Sequence, residues 1–454
     1  MNPMSRLAPL GSRSLAGPIY GFTILVFAVL VAYVDRQIMA ILITPIKHAL
    51  ALSDLRIGIL QGTALNLFYG IAAVPLGLLV DRTKRVRIIF FAALGWAAFT
   101  AVSGFCMGFW QLFFCRVGVG ISEAGLAPAA YSLIADLFSP RHRPAALTLF
   151  YGAINLCASL AIALSGSIIT LITRSSPQLP LALATVEPWR LSLFVAAIPG
   201  LIVALMVATL REPIRSEVRE LPPGGAASPV TWTFFRSNWG TILLLCLALV
   251  SSGIGLEALA MWTPTALARA YGELPEKVAQ SLGVLFAIAS TLGTIIALGL
   301  NKIFRKRAAD RAPLHTLACG TILSVLALPL LALSQTSDHF LIATALYAFS
   351  VTIGCSVGPS LITLVSPNHL RGQIYGLWVC SSVIAASIWP MVIGLLSDSV
   401  FHAPDGLLRS VLVIVTPSTL LAVIAAIALT VPLRRTLSLA RPQVLNHSDI
   451  GRQS

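Results

Sequence analysis

Asp35, Arg36, Arg116, Glu123 and Glu257 are ionisable residues set in stretches otherwise dominated by Leu, Ile, Val, Ala and Phe. A charge in such surroundings is costly to keep, so each is a candidate for function. Two kinds of chemistry suit them. A carboxylate facing a low-dielectric cavity takes up a proton more readily than one in water, which suits Asp35 and Glu123 to carrying protons near physiological pH. A guanidinium offers a planar fork of donors to a carboxylate or phosphate, which suits Arg36 and Arg116 to gripping an anion. Tyr33, Phe68, Tyr69, Tyr151, Glu257 and Trp262 complete the expected substrate-binding set, although for any single aromatic the competing role is lipid contact or core packing. The sequence contains no phosphate-binding Walker loop, no nucleophile elbow and no cluster at metal-ligand spacing. We therefore expect a protein that is not an enzyme and that uses no cofactor and no metal.

The elements that must position these residues are membrane helices. Of the 454 residues, 57% are hydrophobic and 11% charged, and the mean hydropathy is +0.88. Water-soluble domains carry roughly 25% charged residues, so this composition belongs in a bilayer. Apolar runs fall near 18–46, 57–80, 86–106, 109–137, 144–173, 190–210, 239–269, 278–301, 313–334, 339–365, 372–398 and 407–433. They are long enough to cross a membrane and lack the two-residue alternation of a barrel strand, which predicts twelve transmembrane helices in an all-α integral membrane protein. The first run exceeds a signal-peptide core and holds Asp35 and Arg36, so we expect no cleaved leader.

Net charge is +14. The basic residues sit in short loops with no RNA- or DNA-binding motif, so we expect no nucleic-acid partner. Placing the N-terminus inside puts 22 of the 31 Lys and Arg in inside segments and seven outside, which predicts a multi-pass inner-membrane protein with both termini cytoplasmic. The longest inside loop, 211–238, contains Pro222-Pro223-Gly224-Gly225 and reads as a flexible linker. It divides the chain into an N-terminal six-helix bundle (1–210), a C-terminal bundle (239–433) and a tail (434–454). A repeat supports the division. Ser139-Pro140-Arg141-His142-Arg143 precedes Phe150-Tyr151-Gly152, and Ser366-Pro367-Asn368-His369-Leu370-Arg371 precedes Ile374-Tyr375-Gly376. Duplicated six-helix bundles characterise many secondary transporters, with the solute site between the halves near the midplane.

Depth decides which charges can meet. At 1.5 Å per residue, Asp35 lies roughly 25 Å from the inner end of the first span, Arg116 about 10 Å below the outer end of the fourth, and Glu123 about 10 Å deeper again. Asp35, Arg36 and Arg116 are then level with one another in the outer half. Arg116 and Glu123, seven residues apart, share a helix face and are expected to face one cavity. Asp35 would hold Arg116 or Arg36 when ionised and release it when protonated. The competing reading is a static ion-pair lock. Glu257, in the seventh span, either faces the cavity from the second half or is interfacial. Pro128 is expected to kink the fourth span, where Gly118, Gly120 and Gly125 permit close helix approach. The seven cysteines fall in apolar runs without a CxxC pair, and we read them as small buried residues with neither zinc nor redox roles.

The loop Gly77-Leu78-Leu79-Val80-Asp81-Arg82-Thr83-Lys84-Arg85 can act as a gate: Asp81 caps a helix end, while the Arg cluster clamps the negative ends of neighbouring helices. Its Gly77, Asp81, Arg82 and Arg85 resemble the corresponding signature of the major facilitator superfamily, with Lys84 where glycine is usual. Three further stretches resemble the Spinster-type subgroup: Tyr33-Val34-Asp35-Arg36-Gln37, the segment from Arg116 to Gly125, and Pro128 with Ser132 to Phe138. The resemblance implies a major facilitator fold and assigns Asp35, Arg36, Arg116 and Glu123 to proton coupling and substrate binding. Eukaryotic members handle lysolipids and sphingoid lipids, so it also implies an amphipathic substrate. Organic-anion symporters of the superfamily share a similar pattern.

We thus expect a monomeric, proton-coupled secondary transporter that moves a lysolipid-like amphipathic or anionic small molecule by alternating access, with protons and membrane lipids as its other partners. An organic-anion:proton symporter, an uncoupled carrier indifferent to a pH gradient, and a non-transporting sensor are the alternatives.

Overall fold

The computed structural model describes residues 16–139, 142–175, 185–213, 229–308, 311–366 and 370–433. Twelve helices are long and apolar enough to cross a membrane: α1 (Gly17–Ile41), α2 (Asp54–Val80), α3 (Arg85–Ser103), α4 (Phe109–Leu137), α5 (Ala145–Ser175), α6 (Pro188–Ala208), α7 (Phe234–Tyr271), α8 (Pro275–Arg307), α9 (Ala312–Ala332), α10 (Ser337–Val365), α11 (Gln373–Ser399) and α12 (Gly406–Leu433). No strand occurs among the described residues. Continuous helix satisfies each backbone group within its own segment, as a bilayer demands. The outward faces carry large apolar side chains such as Phe91, Leu149, Leu205 and Ile295, which water would not tolerate in such numbers but lipid does.

Helix neighbours repeat between the halves. Within the first six, α1 packs on α5 and α6, α3 on α4 and α6, and α2 on α4. Within the last six, α7 packs on α11 and α12, α9 on α10 and α12, and α8 on α10. The chain therefore forms two pseudo-symmetric six-helix bundles. Residues 214–228, most of the expected linker, the tail 434–454, and the repeat positions 140–141 and 367–369 lie outside the described residues. Helix resumes at Pro229, inside the expected linker, because proline at a first helical position forfeits a donor that would be unpaired anyway.

Local breaks follow proline chemistry. The helix of α4 is interrupted at Ala124–Gly125, one turn before Pro128, whose ring opposes the carbonyl four residues back. α10 breaks at Ser356–Val357, just ahead of Pro359. The second half thus repeats the break of the first. In α2, Leu60–Leu67 widens into π-helical turns, a distortion frequent at functional sites.

The bundles meet through α2 against α11 and α5 against α8. At Gly58 an added Cβ would lie 2.3 Å from the Pro390 carbonyl oxygen, and at Gly283 it would lie 2.3 Å from the Ala163 backbone nitrogen. Such contact requires residues without a side chain. It is concentrated toward one end of these helices. On α2 it is concentrated between Asp54 and Gly70, and on α5 it includes Ala163, Gly166 and Thr170. The halves are closed at the face opposite the start of α1 and the end of α12, and they diverge toward the face that carries both.

Within the second bundle, Gly320 of α9 abuts the backbone of Gly354 in α10, where a Cβ would sit 2.3 Å from the amide nitrogen. Overpacking of this kind costs about 1–3 kcal/mol. Gly320→Val is expected to lower the melting temperature of the detergent-purified protein by several degrees. Gly299→Ala, at an open position of α8, should leave it level or raise it slightly. Equal melting temperatures for the two variants would rule out this packing.

Candidate transport site

Asp35 and Arg36 are consecutive on α1, so about 100° of helix rotation sends them to different surroundings. Arg36 turns toward the space between the bundles. Its Nε donates to Glu123 Oε2 in a short charge-assisted contact, and its guanidinium carbon lies 4.8 Å from the Tyr69 ring centroid and 5.9 Å from that of Tyr33. Both rings are near enough for cation–π attraction. The Arg36 side chain keeps 27% of its exposure, whereas that of Glu123 keeps 1%. One edge of the guanidinium is therefore held by a buried acid. Its two Nη atoms make no hydrogen bond among the described residues and are free for an anion.

Arg36 and Tyr33 line two neighbouring spaces. The larger, about 330 Å³, is lined by Gln37, Gln61, Asn66, Asn155, Ser159, Glu257, Ser290, Thr352 and Trp389 among others. The smaller, about 80 Å³, holds Glu123 with Tyr69, Ala127 and Phe150. Glu257 is exposed to the main cavity, forms no ion pair among the described residues, and acts electrostatically on Arg36 across the gap. Of its two sequence-level readings, the cavity-facing one is the position observed.

Asp35 takes another direction. It is 1% exposed, accepts from the Thr100 hydroxyl of α3, and feels the charge of Arg116. Arg116 is fully buried, and its three guanidinium nitrogens have no hydrogen-bond partner among the described residues. Neither residue lines the cavity. This corrects two expectations. Arg36 pairs with Glu123 rather than with Asp35, because a long arginine stem spans the depth difference that Cα positions suggest. Arg116 does not share the Glu123 cavity, because α2 and α3 pack against that part of α4 and bury the guanidinium. Asp35 and Arg116 attract one another without forming an ion pair in this conformation.

The expected aromatic lining also separates. Tyr33 and Tyr69 flank Arg36. Trp262 is fully buried in the apolar core shared by the two halves and lines neither of these spaces. Phe68 packs edge-on against Phe113, 6.4 Å between ring centroids, and Tyr151 lies toward Tyr375 of the other half. Trp389, Gln61, Asn66 and Asn155 were not on the sequence-derived site. An amide inside an apolar run was the available signal for three of them.

At the open face, Arg85 is buried at the start of α3. It bonds Asp136 and the Ser132 carbonyl of α4, and Glu212 at 2.8 Å after α6. The Glu212 carboxylate in turn accepts from the backbone N–H groups of Arg85 and Val86, at 3.2 and 2.9 Å. These partners lie in the first bundle or directly after its last helix. Arg82 is exposed with no bond among the described residues, and Gly77 has nothing within 4 Å of an added Cβ. Asp81 lies in the helix that ends at Arg82. The Asp81 side chain lies outside what the structure describes, and among the described residues neither Arg82 nor Arg85 bridges the bundles.

The bridge lies at the other face, where the sequence reading counted only loop charges. Asp54, 2% exposed at the start of α2, accepts two bonds from Arg269 of α7 (2.6 and 2.8 Å), one from Lys47 (2.7 Å) and one from Ser397 of α11 (2.8 Å). Asp398 of α11 accepts from the backbone N–H groups of Asp54 and Leu55 at 3.0 and 2.7 Å, capping α2 from the opposite bundle. An anion at a helix N-terminus is favoured by the helix dipole as well as by the bonds.

A family model described as the Major Facilitator Superfamily matches residues 25–314, more than half of the chain. The chain belongs to the major facilitator superfamily. Among its relatives, an MFS-type efflux pump of Mycolicibacterium smegmatis is 29% identical over 378 residues, spanning 81% of each chain. Protein spinster homolog 1 of Homo sapiens is 27% identical over 423 residues, 86% of this chain and 75% of that one. A solved bacterial homolog of the human lysosomal transporter Spinster, in an inward-facing and unoccupied conformation, superposes with a TM-score of 0.73 at 22% identity and covers 94% of this chain and 99% of its own. The protein is thus a Spinster-like, multi-pass membrane transporter with twelve membrane-spanning helices.

If the Asp54 cluster holds its face shut, Asp54→Ala leaves Arg269 and Lys47 without their acid and weakens closure. A cysteine at the cavity-lining position Ser290, probed with a membrane-impermeant maleimide from the side of the Asp54 cluster, should react several-fold faster in the Asp54→Ala background. An unchanged rate would remove the lock assignment.

Proposed function

We propose that this transporter is proton-coupled and carries an anionic or amphipathic small molecule, lysolipid-like in having an acidic head, by alternating access. The proposal includes a monomer in the inner membrane with both termini in the cytoplasm. The observation that carries it is the half-engaged Arg36: one edge on Glu123, the other facing the cavity.

An anionic group arriving at the Nη edge would compete with Glu123 for the same positive charge. Glu123, left with less compensation in a buried site, would then take up a proton. Substrate and proton would in this way favour each other's binding. Asp35 would supply the second proton site. Arg116 is near it but unpaired, so a change in the charge of Asp35 would alter the packing between α1, α3 and α4. As the outer lock opens, the loop holding Gly77, Asp81, Arg82 and Arg85 would close the opposite face.

The cavity wall also favours a second reading. Gln37, Gln61, Asn66 and Asn155, with Ser159, Ser290 and Thr352, form an unusually hydrogen-bonding surface for an acyl chain. A hydroxylated organic anion would use those groups as well as Arg36.

Thermal-shift measurements on purified protein against lysolipids, fatty acids and sugar acids separate the two. A ligand at a hundredfold excess over its Kd stabilises by about 2.7 kcal/mol. Stabilisation by lysolipids favours the first reading, and stabilisation by sugar acids alone the second. Arg36→Ala should abolish either shift. In proteoliposomes, Asp35→Asn should lose transport driven by a pH gradient, and retention of that response would remove the coupling role from Asp35.

A further inference from the structure

Cys106 and Cys115 stand nine residues apart and look unrelated in sequence, yet the turn between α3 and α4 folds one over the other, with 3.7 Å between their Sγ atoms. Cys106 lies in the non-helical connection after α3, and Cys115 lies two turns into α4. The connection is held in place from several sides. Arg190 of α6 donates from Nη1 to the carbonyls of Gly104 and Cys106, at 2.8 and 2.7 Å, and the Met107 amide bonds the Gln111 side chain at 2.7 Å. Both cysteines are buried, at 3% and 7% exposure. The paired thiols therefore reflect a fixed fold of the turn rather than a passing contact between mobile side chains.

We infer that Cys106 and Cys115 form a disulfide in the mature protein. The two Sγ atoms must close from contact distance to about 2.05 Å, a movement within reach of side-chain rotation. The balanced step is exchange with a disulfide oxidant. A Cys115 thiolate attacks one sulfur of the oxidant and releases a thiol. The Cys106 thiolate then attacks the mixed disulfide, forming the Cys106–Cys115 bond and releasing the second thiol. Two protein thiols are oxidised and one external disulfide is reduced to two thiols. The connection lies on the face opposite the start of α1. The inference uses the orientation proposed above, which puts that face outside the cytoplasm, where such oxidants persist. Oxidation while the chain folds, followed by burial, would then shield the bond from reductants. Its consequence is local. The bond would tie the connection to the turn of α4 that carries Arg116, the unpaired cation beside Asp35.

The test is peptide mapping of protein isolated from cells without reductant and denatured in excess maleimide. Chymotryptic cleavage at the aromatic residues between the two positions separates them. The expected result is a cross-linked Cys106–Cys115 peptide that takes maleimide only after reduction, while the exposed Cys380 is labelled throughout. In Cys106→Ser, Cys115 should become fully labelled without reduction. Complete maleimide labelling of both cysteines in the unreduced wild-type protein would overturn the inference. If such protein then cross-links with oxidised glutathione in detergent, the bond in the cell is still overturned, and the orientation is the step that failed; transport and ligand binding are untouched by either result.

Discussion

A guanidinium inside a bilayer-spanning bundle is tolerable only if its charge is answered nearby, and Arg36 is answered on one side alone. Glu123 takes its Nε, the faces of Tyr69 and Tyr33 lie against it, and the remaining donors open into the cavity. A fully satisfied Arg36 would be a structural pin, since buried pairs with complete hydrogen bonding hold one geometry. A wholly unanswered one would not be stable there. The intermediate condition leaves part of the guanidinium facing the cavity, and the surrounding elements hold it there. The α4 break at Ala124–Gly125 follows directly after Glu123, and the widened turns of α2 carry Gln61 and Asn66 to the cavity wall.

The same constraint accounts for the contrast between the two membrane faces. Joining the bundles with charges requires burying those charges, and Asp54 is buried with four donated bonds from side chains on both sides of the interface. Such a network is held only while every member is in place, so it favours two discrete states over gradual loosening. Glycine against backbone along α2–α11 and α5–α8 adds to this, since contacts that close are lost abruptly when helices tilt. Arg85, by contrast, binds α3, α4 and the end of α6 into one body. One face is tied across the interface and the other is tied within a bundle, which is what rigid-body rocking requires.

Composition and periodicity made the twelve helices legible, because backbone satisfaction in lipid leaves few alternatives and each run is uniform along its length. Asp35, Arg36, Glu123 and Glu257 were legible for the same reason: a charge stands out against hydrocarbon. Side-chain direction was not. Neighbouring residues on α1 face different surroundings, and which of them reaches Glu123 depends on helix rotation and arginine length, neither of which sequence spacing encodes. The Asp54 cluster was missed because Lys47, Arg269 and Asp398 lie at span ends, where a charge is cheap in water and needs no explanation. Cys106 and Cys115 were missed because only the folded turn brings them together. Trp262 was misleading for the converse reason, since an aromatic in an apolar run is as well placed in the core as in a cavity.

Charge counting around the cavity connects geometry to coupling. Glu123 and Glu257 face Arg36 at the cavity, and the charges of Asp35 and Arg116 behind it cancel, so with all five ionised the cluster carries a net charge of −1. An anionic substrate would bring it to −2 in a region where an uncompensated charge is strongly disfavoured. One proton on a carboxylate would restore the starting value. Glu123 is the acid whose partner the substrate would take, so it is the natural acceptor. Glu257, across the cavity and without an ion pair among the described residues, would repel the same anion unless the solute also carries a donor or a positive group to meet it. Under the proposed function, the two walls would therefore ask for different chemistry from one molecule: an acid toward Arg36, and a hydrogen-bond donor or a cation toward Glu257.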